Sequence, residues 1–243
     1  MDEKGKPLLD VKDVVKTFGG LKAANHVSFQ VMEGEIRGLI GPNASGKTTI
    51  INLISGMYSI NDGAIFFSGN RIDRLRPDVI ASIGIMRTFQ ISRVFRDMTV
   101  LENMMVPSLS QGQTMLKARR RAKELLEFVL LETLMHEPAR MLSGGQIMLL
   151  QIVRGFMNEH LRLYLMDEPF AGVHQSIKGT ILRAISTMNQ ENGVTFLIVS
   201  HEMTAIRNLC HQITVLHEGE VISQGTMEEV ASDPLVIDSY LGG

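Results

Sequence analysis

A chain of 243 residues suffices for one large domain with a subdomain and a substantial core. With 44% hydrophobic and 21% charged residues and a net charge of −2, it has ordinary globular composition and no electrostatic case for nucleic acid as its main partner. A single cysteine, Cys210, excludes an intramolecular disulfide and fits a reducing compartment, its helix-like surroundings favouring a buried thiol. The absence of an apolar leader, or of about 18 consecutive apolar residues, means that any membrane role is expected to run through partners.

Leu8 to Thr17 alternates loosely and reads as a strand ending in the turn Phe18-Gly19-Gly20, and Ala24 to Met32 as a second strand with Val27, Phe29 and Val31 on one face. After Glu33-Gly34, the apolar strand Ile36 to Ile40 runs into Gly41-Pro42-Asn43-Ala44-Ser45-Gly46-Lys47-Thr48-Thr49. Thr48 to Ser55 then continues with helical spacing of Ile50, Leu53 and Ile54. This is GxxxxGK[ST] between a strand and a helix, the pattern of a phosphate-binding loop. Its glycines let backbone N–H groups close around phosphate oxygens, and the following helix adds its partial positive charge. Lys47 is expected to reach the β- and γ-phosphates and the Thr48 hydroxyl to ligate Mg²⁺. A Gly-rich turn that matches by accident is the competing reading, and the strand-before, helix-after context weighs against it.

Asn61-Asp62-Gly63 opens a strand Ala64 to Phe67 that Ser68-Gly69-Asn70 closes, Pro77 starts a helix to Ser82, and Gly84 to Met86 is a strand. From Asp97 the pattern turns helical. Thr99 caps Val100 to Val106, Pro107 breaks that helix, Met115 to Leu131 forms the next, and another runs from the Ser143 region to Met157. Residues 97–157 read as a helical subdomain inserted into a sheet core formed by 8–96 and 158–225, with two short helices in 226–241. The strands Arg162 to Met166 and Thr195 to Val199 alternate with the helices Ser176 to Glu191 and Met203 to Cys210, and a hairpin follows around Glu218-Gly219-Glu220. The fold class is α/β, a P-loop NTPase with a mostly parallel sheet.

Two further strings carry chemistry. Leu163 to Met166 is an apolar strand ending in Asp167-Glu168. Asp167 would hold Mg²⁺ opposite Thr48 and Glu168 would polarise a water against the γ-phosphate, the alternative being a capping cluster at a strand end. Ser143-Gly144-Gly145-Gln146 opens a helix and offers a second anion site, or else is an ordinary N-cap with a flexible turn.

With these motifs in this order, the chain resembles the ATP-binding subunits of ABC transporters over Leu8 to Leu241. The resemblance implies an N-terminal antiparallel β subdomain beside the mostly parallel sheet and the helical insert. It implies ATP and Mg²⁺ as cofactors and a head-to-tail pair of subunits, identical or paralogous, each ATP lying between one P-loop and the partner's Ser143 to Gln146. Integral membrane permease subunits are the implied partners, a solute-binding protein is reached indirectly, and nucleic acid is not involved. The implied location is the cytoplasmic face of the inner membrane. Carried over by position, Phe18 stacks on adenine, and Gln90 of Arg87-Thr88-Phe89-Gln90 contacts Mg²⁺ and the attacking water at the hinge to the helical subdomain. His201 contacts the γ-phosphate and, with Glu168 and Gln90, completes the catalytic set.

Two places depart from the family pattern: Ala44-Ser45 stands where Gly-Ala is frequent, and His174 stands in Phe170-Ala171-Gly172-Val173-His174 where aspartate or asparagine is usual, a possible source of pH sensitivity. Lys117, Arg119, Arg120, Arg121 and Lys123 form a basic run that is either a solvated helix face or a contact for anionic lipid. Thr17 to Ala23, the string from Arg87 to Gln90 with Met98 to Asn103, and the ending Asp233 to Gly242 are similar to the ATP-binding subunits of branched-chain amino acid and urea or amide importers. A lipopolysaccharide-type export ATPase is the alternative with the same ending. A soluble ABC ATPase of DNA or the ribosome would want two cassettes or long coiled coils, and a P-loop kinase or GTPase would leave Ser143 to Gln146 and His201 without a task.

Overall fold

The computed structural model describes residues 6–89 and 94–241; Gln90 lies outside the described residues. Ten strands and nine α-helices make up most of the regular structure of the described residues. The strands β1 (Leu9–Phe18), β2 (Leu21–Val31), β4 (Asp62–Phe67) and β5 (Asn70–Arg71) make an antiparallel sheet in the order β2-β1-β4-β5. The second sheet takes β3 (Ile36–Ile40), β6 (Ile85–Arg87), β7 (Leu163–Asp167), β8 (Thr195–Val199), β9 (Gln212–His217) and β10 (Glu220–Gly225) in the order β10-β9-β3-β8-β7-β6. All its pairings are parallel except the β9–β10 hairpin.

Period-two alternation in the buried strands explains the layering. On β7, Leu163 and Leu165 face one core while Tyr164 and Met166 face the other, and β8 divides Leu197 and Val199 from Phe196 and Ile198 in the same way. One face is covered by α1 (Lys47–Ile54), by Ile80 of α2 (Pro77–Ser82) and by the antiparallel sheet. The opposite face is covered by α3 (Val100–Ser110), α4 (Met115–Phe128), α5 (Gly144–Gly155), α6 (Gln175–Asn192) and α7 (Met203–Leu209). α8 (Met227–Ala231) and α9 (Pro234–Leu241) close the chain against the β9–β10 end. No helix among the described residues is long and apolar enough to cross a membrane.

Three elements differ from the sequence expectation. Pro107 does not end α3, which runs on to Ser110: proline removes one N–H, but Ser108 is buried and its Oγ donates to the Met157 carbonyl at 3.2 Å, so packing holds the last turn. α4 stops at Phe128 rather than Leu131 because Leu130 takes φ 61°, turning itself out to solvent while Val129 and Leu131 stay buried. β5 was unforeseen, as two residues are too short for a periodic signal. At Cys210, burial pushes the thiol up to about 12, so it is held protonated and inert at neutral pH.

The insert between β6 and β7 is tied to the sheet by polar bonds as well as by packing. Gln151 of α5 donates from Nε2 to the Phe89 carbonyl at 2.8 Å, and the Tyr164 hydroxyl donates to the Ile152 carbonyl at 2.9 Å. Gly155 lies where α5 crosses Tyr164, whose ring would collide with any Cβ there.

Candidate active site

Five parallel strands end on the same edge of the large sheet, so the residues following them are gathered although they lie far apart in sequence. β3 delivers Gly41 to Thr49, β6 delivers Thr88 and Phe89, β7 delivers Asp167 and Glu168, β8 delivers Ser200 and His201, and β9 delivers the turn Glu218-Gly219.

The phosphate loop is built so that only glycine fits at its two bends. Gly41 has φ 150° and a Cβ there would strike the Leu216 carbonyl; Gly46 caps α1 with φ 104° and a Cβ would strike the Ala23 carbonyl. The Gly219 amide donates to the Ser45 carbonyl at 3.1 Å, and the Asn25 amide to the Gly219 carbonyl at 2.8 Å. The hairpin turn Glu218-Gly219 therefore buttresses the loop from below, a role its sequence did not disclose because a Glu-Gly turn is common. Ala44 sits at φ 63°, a left-handed conformation that disfavours any residue with a Cβ. Replacing Ala44 by glycine is expected to raise stability by about 1 kcal/mol, read as a higher urea midpoint at constant slope.

Lys47 Nζ donates to the Gly41 and Pro42 carbonyls at 2.8 and 2.6 Å and to Ser45 Oγ at 3.3 Å. Burial lowers its ammonium below the ordinary lysine value, and the facing Glu168 and Asp167 carboxylates pull it partway back. The Thr48 hydroxyl donates to Asp167 Oδ1 at 3.4 Å. Asp167 is almost wholly buried, and its burial raises the carboxyl above the ordinary range, against the pull of Thr48, Arg87 and Lys47. Its amide is fixed by Thr88 Oγ1 at 3.1 Å. A buried carboxylate that holds protons too tightly, opposite a hydroxyl, suits a hard divalent cation with oxygen ligands. These two oxygens fit Mg²⁺ shared with a polyphosphate, since this ion usually takes one or two protein ligands and keeps its remaining positions for water and phosphate.

Glu168 occupies φ 52°, which lifts its side chain out of the line of β7. His201 Nδ1 lies 2.9 Å from Glu168 Oε2 but is not aligned to donate, which leaves that buried oxygen without a hydrogen bond. The imidazole itself is largely exposed. A buried carboxylate oxygen with spare accepting capacity beside an exposed imidazole can take a proton from a water brought to it.

Phe18 stands at the turn end of the β1–β2 hairpin, whose Ala23 abuts Gly46. It is 42% exposed, with its ring edge-on to Tyr58 at 5.2 Å between centroids and Lys16 Nζ 5.0 Å from its own. A half-exposed aromatic beside the phosphate loop can stack on a nucleobase.

Ser143 to Gln146 are not gathered with the rest. Ser143 caps α5 by accepting from the Gln146 amide at 3.4 Å, and the Gln146 side chain accepts from the Ser143 amide at 2.9 Å. Around Gly144 a Cβ would meet nothing, and among the described residues no hydrogen bond joins this helix tip to the P-loop. His174 caps α6 in the same manner, Nδ1 accepting from the Ser176 amide at 3.4 Å, which is the local task an aspartate performs at an N-cap. Sequence reasoning also missed Arg87, which donates to Asn52 Oδ1 of α1 at 2.7 Å and to Oγ of Ser55, the residue after it, at 2.8 Å, and so links the β6 exit to the P-loop helix.

Comparison with known proteins agrees with the fold and with the family that the order of the motifs indicates. A family model described as ABC transporter matches residues 24–171, and one described as branched-chain amino acid ATP-binding cassette transporter matches 220–243. A probable branched-chain amino acid transport ATP-binding protein LivG of Archaeoglobus fulgidus is 38% identical over 97% of this chain and 95% of its own. The crystal structure of a nucleotide-free ATP-binding cassette from an ABC transporter superposes with a TM-score of 0.87 at 32% identity, over 98% of this chain and 100% of that one. A dimeric post-hydrolysis cassette bound to ADP and Pi superposes with a TM-score of 0.82 at 26% identity, over 90% and 98%. The chain belongs to the ABC transporter family, as one of its ATP-binding, ATP-hydrolysing subunits.

Proposed function

We propose that two copies, or this chain and a paralogue, pair head to tail so that each ATP is held by the P-loop of one subunit and the Ser143 to Gln146 tip of the other. The observation that carries this reading is that, among the described residues, no hydrogen bond joins that tip to its own P-loop, together with the open space around Gly144. A helix N-terminus with an uncovered glycine can receive a γ-phosphate presented from outside. Gly41 to Thr49 wrap the phosphates, Lys47 neutralises the β- and γ-oxygens, and Phe18 stacks on the adenine. Thr48, Asp167 and Gln90 hold Mg²⁺, which when bound offsets phosphate charge. Glu168 accepts the proton of the attacking water, His201 steadies the γ-phosphate, and Gln90 orders the water; Gln90 is proposed from the sequence alone.

The relatives' names support branched-chain amino acid transport as the task. The proposed direction is import, of these or related small polar solutes, with a solute-binding protein as the distant source. Integral membrane permease subunits are the direct partners, which places the chain on the cytoplasmic face of the inner membrane. The helical residues 97–157 act as the unit that moves with the permease. A groove lined by Met98, Leu101, Met105, Val106, Leu109 and Met115 supports this, since its apolar floor is suited to an amphipathic helix. Co-expression with branched-chain amino acid permease subunits is expected to yield a complex whose ATPase activity rises with the cognate binding protein and branched-chain amino acid. A chain that never co-purifies with a membrane protein would overturn the transport reading, and stimulation by a lipid substrate instead would favour an exporter.

A further inference from the structure

The N-terminal half of α4 carries a surface that the ATPase leaves without a task. Between Met115 and Lys123 stand five cations and no carboxylate. Lys117 is taken up by Glu159 at 2.8 Å, and Arg120 and Arg121 by Glu124 at 3.1 and 3.7 Å. Arg119 and Lys123 have no carboxylate within ion-pair reach among the described residues. Spacings of three and four residues put Leu116, Arg119, Arg120 and Lys123 on one face of the helix. Leu116 is 80% exposed, more than any other large apolar side chain among the described residues, and Met115 beside it is 61% exposed.

A single exposed leucine is unremarkable on a soluble surface. A leucine standing proud at the end of a helix, with cations one turn away on the same face, has the composition of an element that lies in a lipid interface. The acidic residues of that face, Glu124 and Glu127, come only at its far end. Direction is set by Arg119, which walls both this face and the Met98–Met115 groove assigned above to the permease. A surface sharing a wall with the groove assigned to the permease lies beside that partner, within reach of the bilayer around it.

Resting on that assignment, we infer that Leu116, Arg119, Arg120 and Lys123 dock the helical subdomain on the anionic headgroups of the membrane around the permease. The guanidinium groups meet lipid phosphates in the paired geometry that planar donors allow, and Leu116 enters the headgroup layer. Polynucleotide is the less favoured polyanion, because the exposed Leu116 and Met115 have no role against a phosphate backbone.

The test uses the purified full chain without permease, sedimented with phosphatidylcholine vesicles with and without phosphatidylglycerol. Binding is expected to the anionic vesicles alone and to fall as salt rises. Arg120→Ala with Lys123→Ala, Arg119 being left in place, is expected to weaken partition by about 25-fold, at roughly fivefold per surface cation. Leu116→Ser is expected to weaken partition several-fold with the salt dependence unchanged, circular dichroism confirming that each variant is folded. No preference for anionic vesicles, wild-type partition by the double variant, or tight capture by single-stranded DNA without vesicle binding would each overturn the inference. Met98→Glu separates it from the permease reading, since that variant should lose co-purification with the permease and keep vesicle binding.

Discussion

Glu168→Gln binds ATP with undiminished affinity and turns it over about two to four orders of magnitude more slowly than the parent. The side chain keeps its volume and its buried position, and the backbone at φ 52° accepts glutamine as it accepts glutamate. What is lost is the carboxylate oxygen beside His201 Nδ1, which has no hydrogen-bond donor of its own and is free to receive a proton from water. An amide cannot take that proton. Because ATP is then held without being consumed, the paired form accumulates, and size exclusion in saturating ATP and Mg²⁺ shows a dimer. Phosphate release at the parental rate would move the general base elsewhere, and a monomer under those conditions would remove the two-subunit site.

Lys47→Ala loses about 100-fold in ATP affinity, the scale of about 2.7 kcal/mol for charge-assisted hydrogen bonds to phosphate. The effect is large because Lys47 is the cation facing two carboxylates, Asp167 and Glu168, across the loop. Without it those carboxylates oppose the incoming phosphates. The chain contains no tryptophan, so titration calorimetry or a fluorescent ATP analogue is the suitable readout. Since Lys47 also binds the Gly41 and Pro42 carbonyls, Lys47→Arg serves as a control for charge, and it recovers part of the affinity if charge dominates. An affinity within a few-fold of the parent's in Lys47→Ala would contradict the role given to the loop.

The parts of the site that lie on contiguous strings were readable from the residues. Gly41 to Thr49 announces its own turn chemistry, and Asp167-Glu168 ends an apolar strand, so period and punctuation sufficed. The buttress was not readable, because Gly219 meets Ser45 only through the sheet order that sets β9 beside β3. Gln151 and Arg87 were hidden for the same reason: each is an ordinary polar residue until the fold brings the Phe89 carbonyl or Asn52 within reach. Pro107 misled because helix breaking is a local tendency and the buried Ser108 is a tertiary fact. The two departures from the family pattern resolve differently. His174 performs the capping that an aspartate would, whereas Ala44 carries real backbone strain at φ 63°.

The direct measurement is a crystal structure of Glu168→Gln with ATP and Mg²⁺, read for which polypeptide each phosphate contact comes from. The account predicts two nucleotides per pair, each with Lys47 and Thr48 from one copy and Ser143 to Gln146 from the other. One copy gripping a single nucleotide with both its P-loop and its own Ser143 tip would contradict it.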